Sequence, residues 1–177
     1  MVFYFLVAHP VVNAWELETL EVNRSKTELE IKADLLIQAP ADLVFQAMTD
    51  FDNLDQLSSS IRKSERLTDV DGLQVFSRRR SCFFLLCFTS EVVEAVTYPE
   101  PGVIVSTIVP DKSDFKSGVM QWRITGTENG SRMRYHATMV PDFWIPRVVG
   151  SGAIKRTMKK QLKMIAETLE TRAKETQ

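Results

Sequence analysis

Few side chains in this sequence are suited to acid–base catalysis. His9 and His136 are the only histidines among 177 residues, and catalysis of this kind needs a titratable group inside a pocket. Strand alternation places His136 on an outer face, so we expect it at the surface. Four other side chains are candidate pocket groups: Asp114, Arg123, Tyr135 and Asp142. For Asp142 we favour a structural role, in which the carboxylate accepts backbone N–H bonds and stabilises a turn.

No established catalytic or metal-binding motif accompanies these residues. The chain has no Gly-rich phosphate loop, no nucleophile elbow and no carboxylate–histidine metal set. With two cysteines and two histidines, it also lacks the ligands of a thiol-rich or histidine-rich metal site. We therefore predict no catalytic residue, no metal and no cofactor, and the sequence offers no positive evidence for an enzyme.

The two cysteines enclose a short apolar stretch. Residues 73–81 and 89–98 are predicted strands, and between them Cys82 and Cys87 flank two Phe and two Leu. A four-residue loop would make the cysteines cross-strand neighbours, close enough for a disulfide. The alternative is a pair of buried, reduced thiols in a cytosolic protein. We expect the apolar tip to cover a cavity mouth or to dip into a membrane surface.

The first 14 residues differ in character from the rest of the chain. Residues 1–14 are mostly apolar and uncharged, and they end in Val-Asn-Ala before an acidic stretch. This resembles the apolar region and cleavage site of a secretory signal, although a basic start is missing. The other interpretation is an N-terminal strand or apolar arm packed on the domain. Disulfides persist mainly in oxidising compartments, so we predict a periplasmic or secreted protein, with a cytoplasmic one as the alternative.

The charge balance and the length narrow the class of protein. Lys and Arg number 22 against 23 Asp and Glu, which argues against a general nucleic-acid binder. No apolar run reaches the roughly 18 residues that a membrane-spanning helix needs. After residue 14, the chain has the length of one domain, which we place at 15–177. We expect that domain to be a monomer.

Apolar periodicity predicts the order of the elements. Residues 27–37 alternate apolar and charged side chains, as in an antiparallel strand with one wet face. Pro40 precedes a short amphipathic helix at 43–48, and a second helical piece surrounds Leu54 and Leu57. Several strands separated by turn signals follow, Asn129-Gly130 being the strongest hairpin signal. The last prediction is a long helix from about 146 to about 172, whose apolar stripe is Ile154, Met158, Leu162, Ile165 and Leu169.

This order resembles the START-like (SRPBCC) superfamily. The resemblance rests on Ile-Gln-Ala-Pro at 37–40 leading into Val44-Phe45, and on Asp50-Phe51 at the entry to the second helix. Members include polyketide cyclase/dehydrase-type proteins, coenzyme Q-binding START proteins and birch-pollen-allergen-type carriers. A closer resemblance, to an exported bacterial subgroup, rests on Trp122, on residues 141–146 and on the cysteine pair. It covers roughly residues 17–172.

The resemblance implies an α+β helix-grip fold, in which a curved antiparallel sheet wraps around the C-terminal helix and leaves an apolar cavity between them. By this analogy, the inward-facing residues would bind an apolar ligand: Met120, Trp122, Met133, Tyr135, Met139, Ile154, Met158 and Leu162. Methionine is unbranched and adaptable, which suits such a cavity. The other interpretation is that these residues only fill a core.

Two functions follow from this comparison. The first is noncatalytic binding or transport of an apolar small molecule such as a lipid, a quinone or a fatty acid. The second is a cyclase/dehydrase-type enzyme that acts on an apolar, polyketide-like substrate in the same cavity. Contact with a membrane surface is a further expectation, since five cations cluster on the last helix: Lys155, Arg156, Lys159, Lys160 and Lys163. They form either a docking surface for anionic lipid head groups or a simple solvated face.

Overall fold

In a computed structural model, which describes residues 15–68, 70–83, 86–146 and 149–176, eight strands form one curved antiparallel sheet. The strands are β1 Trp15–Arg24, β2 Leu29–Ile37, β3 Ile61–Leu67, β4 Leu73–Phe83, β5 Leu86–Thr97, β6 Val103–Ile108, β7 Phe115–Thr127 and β8 Gly130–Pro141. Their order in the sheet is β1-β2-β8-β7-β6-β5-β4-β3. Two α-helices, α1 Ala41–Thr49 and α2 Ser151–Glu175, complete the fold together with short 3-10 turns at Leu54–Gln56 and Pro110–Lys112. None of the helices in the described ranges is both long and apolar enough to cross a membrane.

The helix-grip architecture predicted from the sequence is confirmed. The alternating stretch at 27–37 contains β2, and the short helix after Pro40 is α1. The Asn129-Gly130 turn joins β7 to β8, with Thr127 opposite Gly130. Gly130 has a φ of +145°, and a Cβ at this position would collide with the carbonyl oxygen of Ile37. This hairpin therefore requires glycine for both its backbone angle and its packing.

The last helix begins later than predicted, at Ser151 instead of about 146. Gly150, just before it, has an extended backbone with ψ of 171°. The guanidinium of Arg24 donates hydrogen bonds to the carbonyl oxygens of Ile145 (3.0 Å), Pro146 (3.3 Å) and Val149. A side chain thus satisfies carbonyl oxygens that lie just before the first residue of the helix.

Strand β1 was not predicted from the sequence. It pairs with β2 along its whole length, with Leu20 opposite Ala33. The register shifts between Leu17 and Thr19, and such a bulge adds one residue to a strand. The bulge breaks the two-residue period between Leu17 and Leu20, so the segment does not show the alternation that identifies a strand. Residues 1–14 lie outside the described part of the chain.

The inner face of the sheet packs against one side of α2. The fully or nearly fully buried residues of α2 are Ile154, Leu162, Ala166, Leu169 and Ala173. Glu170 is also buried, and its carboxylate accepts a hydrogen bond from the backbone N–H of Gln38 (2.9 Å). This bond joins the second half of α2 to the end of β2 and the start of α1.

Replacing Leu169 with Ala should lower the free energy of unfolding by about 2–5 kcal/mol, because its side chain is 0% exposed and the cavity left behind cannot be refilled completely. The matched control is Val119→Ala, which truncates an apolar side chain that is 48% exposed and should cost less than about 1 kcal/mol. Urea unfolding of both variants measures the difference. Equal losses would contradict the packing of α2 described here.

Candidate functional site

A cavity of about 260 Å³ lies between the inner face of the sheet and α2. Seven of the eight residues predicted to bind a ligand line it: Met120, Trp122, Tyr135, Met139, Ile154, Met158 and Leu162. The eighth, Met133, does not line the cavity. It is 0% exposed and lies in the core, between Leu35 of β2 and Ile124 of β7. Ligand binding by these residues stays a prediction.

An aromatic pair forms one wall of the cavity. Trp122 and Tyr135 are cross-strand neighbours on β7 and β8, and their rings stack with centroids 4.0 Å apart. Burial raises the pKa of the Tyr135 phenol, because the charged form would lose its hydration. Tyr135 therefore keeps its proton at ordinary pH and presents a neutral hydroxyl that can donate or accept a hydrogen bond.

The cavity lining also contains an ion pair. Arg79 of β4 and Glu94 of β5 approach to 2.6 Å, and Glu94 is only 7% exposed. The Nε of Arg79 also donates a hydrogen bond to Ser77 Oγ (3.0 Å). Five serines add hydroxyl groups to the lining: Ser58, Ser60, Ser81, Ser90 and Ser106. The cavity is thus mainly apolar, with one polar region whose net charge is zero.

Neither member of this pair was predicted from the sequence. Glu94 occupies the same strand face as Val92 and Val96, both of which are buried, so alternation places a carboxylate inside the sheet. Arg79 likewise follows the buried Val75 and Ser77 on one face of β4. A charged residue at an inward position of an otherwise apolar face is the signal that would have identified them.

The other candidate pocket groups lie outside the cavity lining. The carboxylate of Asp114 accepts a hydrogen bond from the backbone N–H of Glu91 (2.7 Å). Arg123 pairs with Glu100 (3.0 Å). Asp142 was expected to accept backbone N–H bonds, but its carboxylate instead pairs with Lys116 (3.3 Å). These contacts are structural.

His136 lies on the outer face of β8, as alternation predicts. Its Nε2 is 3.1 Å from a carboxylate oxygen of Glu30, and about half of its side-chain surface is exposed. In the described ranges, no three His, Cys, Asp or Glu side chains come close enough to hold a metal ion. The titratable side chains that line the cavity are Arg79, Glu94 and Tyr135.

A disulfide joins Cys82 to Cys87 at the end of the β4–β5 hairpin, where the two residues are register partners (S–S 2.09 Å). The hydroxyl of Thr157 on α2 donates a hydrogen bond to the Cys82 carbonyl oxygen (3.3 Å). This contact connects the hairpin end to the helix beside the cavity. The side chains of residues 83–86 are outside the described part, so the role of the apolar tip stays a prediction.

The cavity adjoins a surface groove near the segment that precedes α2. A surface groove of about 870 Å³ shares five lining residues with the cavity: Leu29, Pro141, Phe143, Ile145 and Ile154. Phe143 packs edge-on against Phe115, with ring centroids 5.5 Å apart. The neighbouring Trp144 is 77% exposed. Aromatic side chains therefore surround the point where the cavity comes closest to solvent on this side.

Comparison with known proteins places this architecture among related folds. A family model described as polyketide cyclase / dehydrase and lipid transport matches residues 28–170. No curated protein matches the sequence.

Solved structures with this fold come from several bacteria. A STAR-related lipid transfer protein from Xanthomonas axonopodis is 17% identical, with a TM-score of 0.65 over 89% of this chain and 99% of the other. A START superfamily protein from Mycobacterium smegmatis is 16% identical, with a TM-score of 0.59 over 85% and 99%. An aromatase/cyclase from Streptomyces sp. R1128 is 12% identical, with a TM-score of 0.52 over 83% and 93%. At these identities, the likeness shows a shared fold.

The buried ion pair can be tested with a double-mutant cycle. Arg79→Met alone should destabilise the protein by about 3 kcal/mol, because it leaves Glu94 buried without its counter-charge. The double variant Arg79→Met/Glu94→Leu should lose much less than the sum of the two single variants. Urea unfolding measures all four proteins.

The control is the cycle for Arg78 and Glu91, which pair at 2.7 Å on the same two strands but with both side chains about half exposed. Exposed pairs typically couple by about 0.2–1 kcal/mol. Coupling energies of equal size in the two cycles would contradict the difference in burial.

Proposed function

Because the chain belongs to the polyketide cyclase/dehydrase and lipid transport family of the START-like superfamily, we propose that it binds and transports an apolar small molecule without catalysis. The observation that carries this proposal is the cavity between the sheet and α2, with its mainly apolar lining. Three of the lining residues are the methionines Met120, Met139 and Met158. Their unbranched side chains adjust to ligands of different shape.

Binding would be driven by removal of apolar surface from water, at about 25 cal/mol per Å². At about 260 Å³, the cavity is near the lower end of the range for small-molecule sites, which begins at about 300 Å³. A ligand with one polar group would place it near Tyr135 and the Arg79–Glu94 pair. The neutral phenol and the serine hydroxyls supply both donors and acceptors there.

The second candidate function is a cyclase/dehydrase-type enzyme that acts on a polyketide-like substrate. The specific observation in its favour is that Arg79, Glu94 and Tyr135 line the cavity, since acid–base catalysis needs titratable groups beside the substrate. One of the similar structures is an aromatase/cyclase. Recovery of a chemically altered substrate after incubation with the protein would favour this candidate over a carrier.

We infer a periplasmic or secreted location, with a cytoplasmic one as the alternative. Two features support this inference: the disulfide between Cys82 and Cys87, because such bonds persist in oxidising compartments, and the likeness of residues 1–14 to a secretory signal. Whether residues 1–14 are cleaved is part of the same proposal.

Mass spectrometry of small molecules extracted from protein purified from its native source tests the carrier function. We expect an apolar ligand in amounts comparable to the protein. The variant Ser106→Leu should reduce the bound amount by roughly tenfold, because extra carbon atoms in a packed site cost about 1–3 kcal/mol. Ser106 is buried and lines the cavity.

The matched control is Ser117→Leu on β7, where the serine is exposed and outside the cavity lining. It should retain the ligand of the parent protein. An empty parent protein that also fails to bind any apolar probe would overturn the proposal. So would full occupancy of a folded Ser106→Leu variant.

Thiol counting tests the location. Protein taken directly from its native compartment and denatured without reductant should show no free thiols, because the chain has only two cysteines and both are in the disulfide. The same sample after reduction should show two, which controls for reagent access. Two free thiols before reduction would contradict the inferred compartment.

A further inference from the structure

A second surface groove lies beside α2, between the helix and the end of strand β4. This groove has a volume of about 510 Å³, and its charged lining residues are Arg62, Arg80, Arg156 and Lys160. We call it the basic groove. Among the described residues that line it, none carries a carboxylate, so each ionised side chain in this lining is positively charged.

The sheet topology creates the space. Strand β3 begins at Ile61, opposite Arg79, while β4 continues to Phe83. The last residues of β4 therefore lack a full β3 partner, and α2 approaches this free edge. The register of β3 shifts between Ile61 and Lys63, which makes Arg62 the extra residue of a bulge. Bulges commonly redirect a side chain toward a site.

Three of the four cations of the basic groove differ from the cations around them. Within the described part of the chain, Arg62, Arg80 and Lys160 form no ion pair, whereas three neighbours on the same elements do. Those pairs are Lys63–Glu65, Arg78–Glu91 and Lys163–Glu167. Uncompensated like charges in a concave site repel one another and attract an anion from solution.

Other surface grooves of the protein do not share this property. The groove of about 870 Å³ at the far side of the cavity contains Glu28 as well as its cations. The groove around Arg66 and Arg172 contains Asp50 and Glu175. Mixed charges of this kind are ordinary for a surface, so the all-cationic lining is specific to the basic groove among these three.

The basic groove adjoins the apolar cavity. Ser60, Thr157 and Gln161 line both of them. The Arg79–Glu94 pair inside the cavity cannot serve as the counter-charge of an anion, because Glu94 already neutralises Arg79 at 2.6 Å. An anionic group on a bound ligand would therefore be stabilised in the groove rather than in the cavity.

We propose that the ligand is an amphiphile with an anionic head group, a carboxylate or a phosphate, which the basic groove binds while the apolar tail occupies the cavity. The proposal rests on the carrier function proposed above and names its ligand class. Arginine suits this role, because its planar guanidinium donates paired hydrogen bonds to either anion.

The test compares ligands that share one tail. Dodecanoate, dodecyl phosphate and dodecan-1-ol are titrated into the full chain at low ionic strength, with inorganic phosphate as the tail-free probe. The parent protein should bind at least one of the two anionic amphiphiles roughly tenfold or more tightly than the alcohol, since hydrogen bonds to charged groups are the strong ones. The preferred anion identifies the head group.

Two matched double variants locate the effect. Arg62→Gln/Lys160→Gln removes two charges from the basic groove and should abolish the preference for the anion. Lys63→Gln/Lys159→Gln removes two charges from adjacent positions on the same strand and helix, outside the groove lining, and should preserve the preference. All four positions are exposed, so folding should be unaffected.

Several outcomes would overturn the head-group proposal. These are equal affinity of the parent for the alcohol and both anions, an unchanged preference in Arg62→Gln/Lys160→Gln, or an equal loss in both double variants. Inorganic phosphate binding as tightly as dodecyl phosphate would show a free-anion site instead. If the alcohol binds while the preference is absent, the carrier function stands without this head group. If no dodecyl compound binds, the head-group proposal fails, and the mass spectrometry of the native ligand decides the carrier function separately.

Discussion

The fold depends on the burial of one side of α2 against the inner face of the curved sheet. The helix does not fill the space inside the sheet, and a cavity of about 260 Å³ remains. Most of α2 is polar, and isolated helices of such composition are marginal in water, so its stability comes from this packing. Leu162, Ala166 and Leu169 are almost completely buried. Toward the start of the helix, Met158 is only partly buried and faces the cavity. One half of the helix therefore closes the core, and the other half forms the wall of a space that the core leaves open.

The charged residues near the cavity form two groups, one inside it and one outside it. Inside the cavity, Arg79 and Glu94 neutralise each other, which is how buried charges are normally accommodated. Outside it, Arg62 and Lys160 face a groove without any carboxylate. The two polar regions adjoin one cavity but differ in net charge. The inner region is neutral and offers hydroxyl groups for hydrogen bonds, whereas the outer region is positive and attracts an anion.

The parts of the fold with regular periodicity could be predicted from the sequence, and the parts set by irregularity or by distant residues could not. The alternation in β2 and the apolar stripe of α2 led to correct elements, whereas the bulge at Leu17–Thr19 concealed β1. Seven of the eight expected cavity residues do line the cavity. Four of them lie on strands, where alternation decides which side faces inward, and three lie on the apolar stripe of α2, while the cavity itself was implied by the family resemblance. The basic groove combines residues near positions 62, 80 and 156–160, and no local pattern reveals such a combination.

Strand β1 shows how an element outside the cavity can still shape it. Arg24, its last residue, donates to three carbonyl groups of the segment before α2. Two of those carbonyls belong to Ile145 and Val149, whose residues line the cavity. A charged donor is a stronger partner for a carbonyl than water or a neutral amide, and α2 begins at Ser151, just after the last of these carbonyls. Arg24 therefore connects the first strand to residues beside the cavity across a sequence separation of 121 to 125 residues.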